Sequence, residues 1–168
     1  ISLRLVGSEM CIRDSSIGNR KSTVISGRSN GGLLVGTTLV QNPNYFGAAL
    51  PAVGVMDMIR FTEFTEGWGW RGDYGSPILN QTDFQRNIKI SPYHQTKIDV
   101  CYSPTLTTTG RRDDRVVPSH SYKFTARLQE YQGCTNPVML YDATRAGHGS
   151  GNGVAMPKWK RIELFSIE

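Results

Sequence analysis

The chain has 168 residues, enough for one domain to bury most of its apolar surface, and 38% of them are hydrophobic and 20% charged, as in globular proteins. No apolar run approaches the roughly 20 residues that cross a bilayer, so no membrane partner is expected. A net charge of +5 raises nucleic acid as a partner, but only Lys158-Trp159-Lys160-Arg161 clusters, at the end of a helix-like segment where a solvated face explains it, and no nucleic acid is expected.

The opening ISLRLVGSEMCIRDS has no extended apolar core and no small-residue cleavage site, so it makes a poor signal peptide. Leu5 to Ser15 resemble the in-frame translation of a transposon adapter used in sequencing libraries. Residues 1–15 are therefore expected to be non-native and residues 16–168 to be part of a larger domain. Removing 1–15 takes away Arg4, Glu9, Arg13 and Asp14 and leaves the net charge unchanged. The three cysteines, Cys11, Cys101 and Cys134, form no CxxC and no Cys/His group. That spacing argues against a disulfide framework and a zinc site, makes a reducing compartment the default, and leaves no metal or cofactor expected.

From Thr23 the pattern alternates strands and helices. TVIS (23–26) is a short β-branched strand running into the turn GRSNGG, and LLVGTTLVQNP is a helix stopped at Asn42-Pro43. GAALPAVGV (47–55) reads as a buried strand with a turn, MDMIRFTEF (56–64) as helical, EGWGWRGDYGSP (66–77) as a loop and TDFQRNIK as a helix. SPTLTTTG (103–110) is a strand, RRDDR a charged turn, and Pro118 opens a helix through SHSYKFTARLQEY. PVMLYDA is the last strand, RAGHGSGNG a loop, and the tail from Val154 a closing helix. Strands separated by helices predict an α/β fold with a mostly parallel sheet.

The strongest local signal is Gly27-Arg28-Ser29-Asn30-Gly31, a G-x-S-x-G between a strand and a helix. A nucleophilic serine needs a strained turn that lifts its hydroxyl off the sheet, flanking glycines that let backbone pass, and helix N–H groups aimed at the developing oxyanion, with Asn30 N–H the expected donor. A glycine-rich βα turn without chemistry would look the same, so the motif needs partners.

A serine nucleophile requires a base, and the base an orienting carboxylate, in the chain order serine, acid, histidine. Of the three histidines, His94 precedes the region of the acid and His120 falls inside a helix, which leaves His148, on the loop after the last strand. The acid belongs after the strand 103–110, where Asp113 and Asp114 stand side by side and the residues alone do not choose between them.

GRSNGGLLVG, PAVGVMDMIRF, GWGWRGDYG, SPYH, DDRVVPSHSYKF and RAGHGSG occur in the order found in the catalytic domain of prolyl oligopeptidases. Residues 18–150 resemble that family, which implies the C-terminal part of an α/β-hydrolase fold, incomplete here. The resemblance implies Ser29 as nucleophile, His148 as general base, Asp113 as the acid, and Asn30 as the residue whose backbone N–H binds the oxyanion. It matches Arg115 to an arginine that hydrogen-bonds a substrate carbonyl on the acyl side. Trp70 matches the tryptophan that stacks on the substrate proline, with Val55, Tyr74 and Val116 lining the same pocket. Proline is a flat ring without an N–H, so an aromatic face with apolar walls can select it by contact.

The function implied is hydrolysis of short proline-containing peptides after proline, through an acyl-enzyme; the compartment expected is the cytoplasm, with the periplasm open to the full-length parent. Arg112 stands where the family usually has a histidine before the acid. The family's β-propeller and a second oxyanion donor, a tyrosine, come from chain ahead of the elbow, so the N-terminal half and propeller of the parent are expected to be missing here. Other serine hydrolases of this fold (an acylaminoacyl peptidase, a basic-specific oligopeptidase or an esterase), a non-catalytic binding module and an inactive fragment are the alternatives.

Overall fold

The computed structural model describes residues 20–43 and 45–149. Residues 1–15, the tail from Val154 and the Lys158–Arg161 cluster, on which expectations were placed above, lie outside the described residues.

Among the described residues four strands, β1 (Val24–Arg28), β2 (Ala48–Ala52), β3 (Thr105–Gly110) and β4 (Val138–Ala143), form one sheet in the order β1-β2-β3-β4. Every pairing is parallel, with Ile25 opposite Ala49, Ala49 opposite Thr105 and Thr105 opposite Val138. A parallel sheet that advances one strand at a time in one direction, through right-handed crossovers, gathers its connecting helices on one face. The contacts agree. Helix α1 (Asn30–Gln41) covers β1 and β2, α5 (Ser119–Tyr131) covers β3 and β4, and the short α4 (Pro92–Gln95) joins α1 to α5.

Helix α1 forms because Leu33, Val35, Gly36, Leu39 and Val40 make a buried stripe, and it stops where the Asn42 N–H closes on Thr38 O ahead of Pro43. Its Val35, Leu39 and Val40 meet Ala49, Met56, Tyr102, Phe124 and Leu128 in the main core. A second cluster, Leu33, Val55, Met58, Phe61 and Val116, lies against Trp70, Tyr74 and Ile90. On the far face of the sheet Val24, Met139 and Tyr141 stay exposed.

Three expectations need correction. Residues 56–64 are not an α-helix but a run of turns with a 3-10 helix at Phe61–Glu63. Their amides find partners away from any helical ladder: Asp57 N–H donates to His120 Nδ1 (3.2 Å), Met58 N–H to Ser91 Oγ (3.0 Å), and Ile59 and Arg60 N–H to Asp57 Oδ1 (3.1 Å each). The glycine-rich 66–77 stretch is not an open loop, for it winds into a 3-10 helix (Gly67–Trp70) and α2 (Arg71–Tyr74), followed by α3 (Gln81–Ile90). Third, Cys101 and Cys134 form a disulfide, their Cα atoms 5.0 Å apart. Their 33-residue separation hid the pairing, which arises because β3 and β4 are neighbours and the two cysteines precede them.

Candidate active site

The site is built where the strands end. Ser29 follows β1 with φ 56° and ψ −118°, a conformation that costs a non-glycine residue about 1–3 kcal/mol and persists only when its surroundings enforce it. Ser29 N–H donates to Ala52 O (2.9 Å) and Ser29 O accepts from Leu33 N–H (3.0 Å), which pins the turn between β2 and α1. A Cβ on Gly27 would sit 2.2 Å from Gly31 O, so this glycine is required. Gly31 itself is not, since its Cβ would meet open space; the second tight approach falls on Gly32, whose Cβ would lie 2.5 Å from Ala52 O. Asn30 opens α1, so its N–H belongs to the first helical turn, whose donors have no intrahelical acceptor.

Asp113 and His148 come from the loops after β3 and β4. Asp113 Oδ1 accepts the N–H groups of Arg115 (3.0 Å) and Val116 (2.8 Å), and the residue is 3% exposed. Its Oδ2 lies 2.8 Å from His148 Nδ1, while His148 Nε2 lies 2.9 Å from Ser29 Oγ. An ionised carboxylate only accepts, so the Nδ1 carries the proton and Nε2 is left as the acceptor facing the serine hydroxyl. Arg112 N–H donates to Ala146 O (3.0 Å), which draws the histidine loop across the end of β3. Gly110 permits the crossing, because its Cβ would stand 2.5 Å from Ala146 O. Asp114 is exposed, and its carbonyl accepts from the Thr65 hydroxyl. Of the two neighbouring carboxylates, only Asp113 reaches the histidine.

Beside Ser29 opens a cavity of about 190 Å³, below the roughly 300–1,000 Å³ of a drug-sized site and so suited to one small side chain. Ser29, Asn30, Val55, Trp70, Tyr74, Arg115 and Val116 all line it. Every residue named from the sequence for nucleophile, acid, base, oxyanion or pocket is thus brought to one place. Two neighbours were missed. Phe61, fully buried, stacks near-parallel to Trp70 (centroids 6.3 Å, 15°) and edge-on to Tyr74 (5.9 Å, 74°), and so supports the aromatic wall from behind. Asp73 is exposed and lines the cavity. Its signal was the spacing of Trp70, Asp73 and Tyr74, which share one face once the stretch is helical.

The other histidines serve the loop that carries Val55. His120, 1% exposed, accepts the Asp57 N–H, and burial pushes its imidazole down to about 4. His94 Nδ1 lies 2.8 Å from Ser91 Oγ; burial pushes the ring below its ordinary value, against the pull of the Asp57 carboxylate. Burial alone would raise Asp57, but hydrogen bonds from Lys123 and the Arg60 N–H outweigh it and hold the carboxyl below the usual range. No group of His, Cys, Asp and Glu able to hold a metal occurs among the described residues.

Residues 5–165 match the model of the prolyl oligopeptidase family. The chain belongs to that family. It is 45% identical over 143 residues to a prolyl endopeptidase of Elizabethkingia miricola, covering 85% of this chain and 20% of that protein. A solved prolyl endopeptidase structure superposes with a TM-score of 0.77 at 42% identity, over 83% of this chain and 20% of the other. A post-proline cleaving enzyme of Rickettsia typhi does so at 0.78 and 31%, over 87% and 21%. As a prolyl oligopeptidase family member the chain has the parallel-sheet architecture of the α/β-hydrolase catalytic domain, and it spans about a fifth of the length of these relatives. The family is one of serine endopeptidases.

Proposed function

We propose that this chain carries the reacting groups of a serine oligopeptidase that hydrolyses short peptides after proline. Ser29 Oγ attacks the carbonyl carbon of the proline residue as its proton passes to His148 Nε2. Asp113 keeps the imidazole in the tautomer that can accept that proton and stabilises the imidazolium that results. The carbonyl oxygen, now an oxyanion, accepts from Asn30 N–H. As the C–N bond breaks, His148 returns the proton to the departing amine, leaving an ester on Ser29. Water then gives a proton to His148 while its oxygen attacks the ester carbon, and Ser29 Oγ leaves and recovers that proton.

The observation that supports this most is the placing of His148 between Ser29 and Asp113 beside a cavity walled by Trp70, Val55 and Val116. The apolar side of a cavity of that size, with its aromatic face, suits a pyrrolidine ring. Arg115 lines the same cavity and is available to a substrate carbonyl on the acyl side. One observation favours a second reading, an oligopeptidase preferring basic residues: the Asp73 carboxylate also lines the cavity. That carboxylate is exposed, where a charge contact adds about 1 kcal/mol or less, whereas the apolar walls act on every substrate.

The remaining four-fifths of the length of the relatives is the expected structural partner. Of cytoplasm and periplasm, the Cys101–Cys134 disulfide favours the periplasm, because such bonds persist in oxidising compartments. Reporter peptides ending in proline, arginine or alanine before the leaving group, given to the full-length enzyme that carries this segment, test the specificity. Turnover of the proline reporter at least tenfold above the others is expected, and a preference for arginine would transfer the assignment to the second reading.

A further inference from the structure

Asn30 and Tyr74 are 44 positions apart, yet the Tyr74 hydroxyl donates to Asn30 Oδ1 at 2.6 Å. Asn30 follows the nucleophile and opens α1; Tyr74 closes α2 and walls the cavity. The bond is exposed to solvent at Asn30, and its Tyr74 end is anchored. The Tyr74 carbonyl accepts from the side-chain amide of Asn87 (2.7 Å), a residue 2% exposed, and its ring rests edge-on against buried Phe61. Asn30 is tethered to Ser29, whose positive φ must be enforced from outside the turn. Burial first, and then the Asp73 charge, push the Tyr74 hydroxyl above the ordinary tyrosine range against the opposing effect of the Asn30 bond, so it stays protonated and able to donate.

We propose that Tyr74 is a positioning residue for the chemical step: its bond to the Asn30 side chain holds the Asn30 backbone N–H and the Ser29 turn in register with the Trp70 wall. This rests on the assignment of Asn30 N–H as oxyanion donor. A wall residue would contribute to binding alone. A residue that holds the oxyanion donor contributes where charge develops, in the transition state.

The test uses Tyr74→Phe, Asn30→Ala and the double variant in the full-length enzyme, with two readouts. One is steady-state hydrolysis of a proline reporter. The other is the rate at which a small fluorophosphonate labels Ser29, which needs the oxyanion donor but no proline in the cavity. Tyr74→Phe keeps the ring and removes only the hydrogen bond. It is expected to lower kcat and the labelling rate together, about five- to tenfold, with KM within twofold. Asn30→Ala is expected to do the same, and the double variant to be no slower than the slower single one, because both remove one bond. An unchanged labelling rate in Tyr74→Phe, a change confined to KM, or additive losses would overturn the proposal. A wild-type enzyme that labels at Ser29 but prefers another residue to proline would overturn the specificity assigned above and leave this test intact.

Discussion

His148 Nδ1 meets Asp113 Oδ2 at 2.8 Å across 35 positions, while Asp114, the next residue in the chain, is exposed and reaches neither ring nitrogen. The choice is made by the backbone: Asp113 Oδ1 is taken by the N–H groups of Arg115 and Val116, which turns Oδ2 toward the histidine. Asp113→Asn in the full-length enzyme should lower kcat by about 10³–10⁴, because the amide no longer favours the tautomer that leaves Nε2 as acceptor. Asp114→Asn should stay within about threefold of wild type. Steady-state rates on a proline reporter separate the two, and a larger loss at Asp114 would reverse the assignment.

Trp70 should carry selectivity more than rate. Trp70→Ala removes one wall of a cavity sized for a single small side chain and leaves Ser29, His148 and Asp113 untouched. For a proline reporter kcat/KM should fall about 10- to 100-fold, with a smaller fall for an alanine reporter. Equal losses on both would indicate that Trp70 supports the fold and not the pocket.

The Cys101–Cys134 disulfide closes a loop across a separation of 33 residues, for which loop-closure entropy gives about 4 kcal/mol of stabilisation. Both cysteines precede their strands, at the end of the sheet opposite the one that carries Ser29, Asp113 and His148. Cys101→Ser, or a reductant, should therefore lower Tm by several degrees and leave kcat and KM at 25 °C within about twofold. A mass two units higher after reduction, or two alkylated cysteines appearing only then, would establish the bond. Free thiols in the enzyme as isolated from an oxidising compartment would contradict it.

Acid should weaken the fold through His120. Its imidazole falls from an ordinary 6.5 to about 4 on folding, so between those values the unfolded chain binds a proton that the folded chain does not. The contribution is fully present above pH 6.5 and lost as pH falls toward 4, roughly 3 kcal/mol in all. His94, also pushed down, adds the same sign, while Asp57 acts only below its ordinary 3.8. His120→Asn keeps an acceptor for the Asp57 N–H without titrating. Its Tm should vary less between pH 7 and pH 4.5 than that of the wild type; an equal slope would remove His120 as the cause.

Much of this was legible in the sequence because local rules and the fold agree. β1, α1 and α5 are legible from a short β-branched run, a stop at Asn42-Pro43 and a proline at the start of a helix, and the order serine, acid, histidine selects His148. The failures come from contacts that a local pattern does not show, several of them remote in sequence. The 56–64 run looked helical because Met56, Met58 and Phe61 are apolar, and all three are fully buried; its amides are held by Ser91, His120 and its own Asp57. The 66–77 stretch looked open because of its glycines, yet Gly67 lies against the Phe61 carbonyl, where a Cβ would sit at 1.7 Å. The disulfide depends on the adjacency of β3 and β4, which no spacing of cysteines reveals.

The most direct measurement is the site of covalent labelling by a fluorophosphonate on the full-length enzyme. The label is expected on Ser29, absent from Ser29→Ala and blocked by a proline-based aldehyde. Labelling that survives in Ser29→Ala, or that maps to another residue of the wild type, would contradict Ser29 as the nucleophile and with it the proposed mechanism.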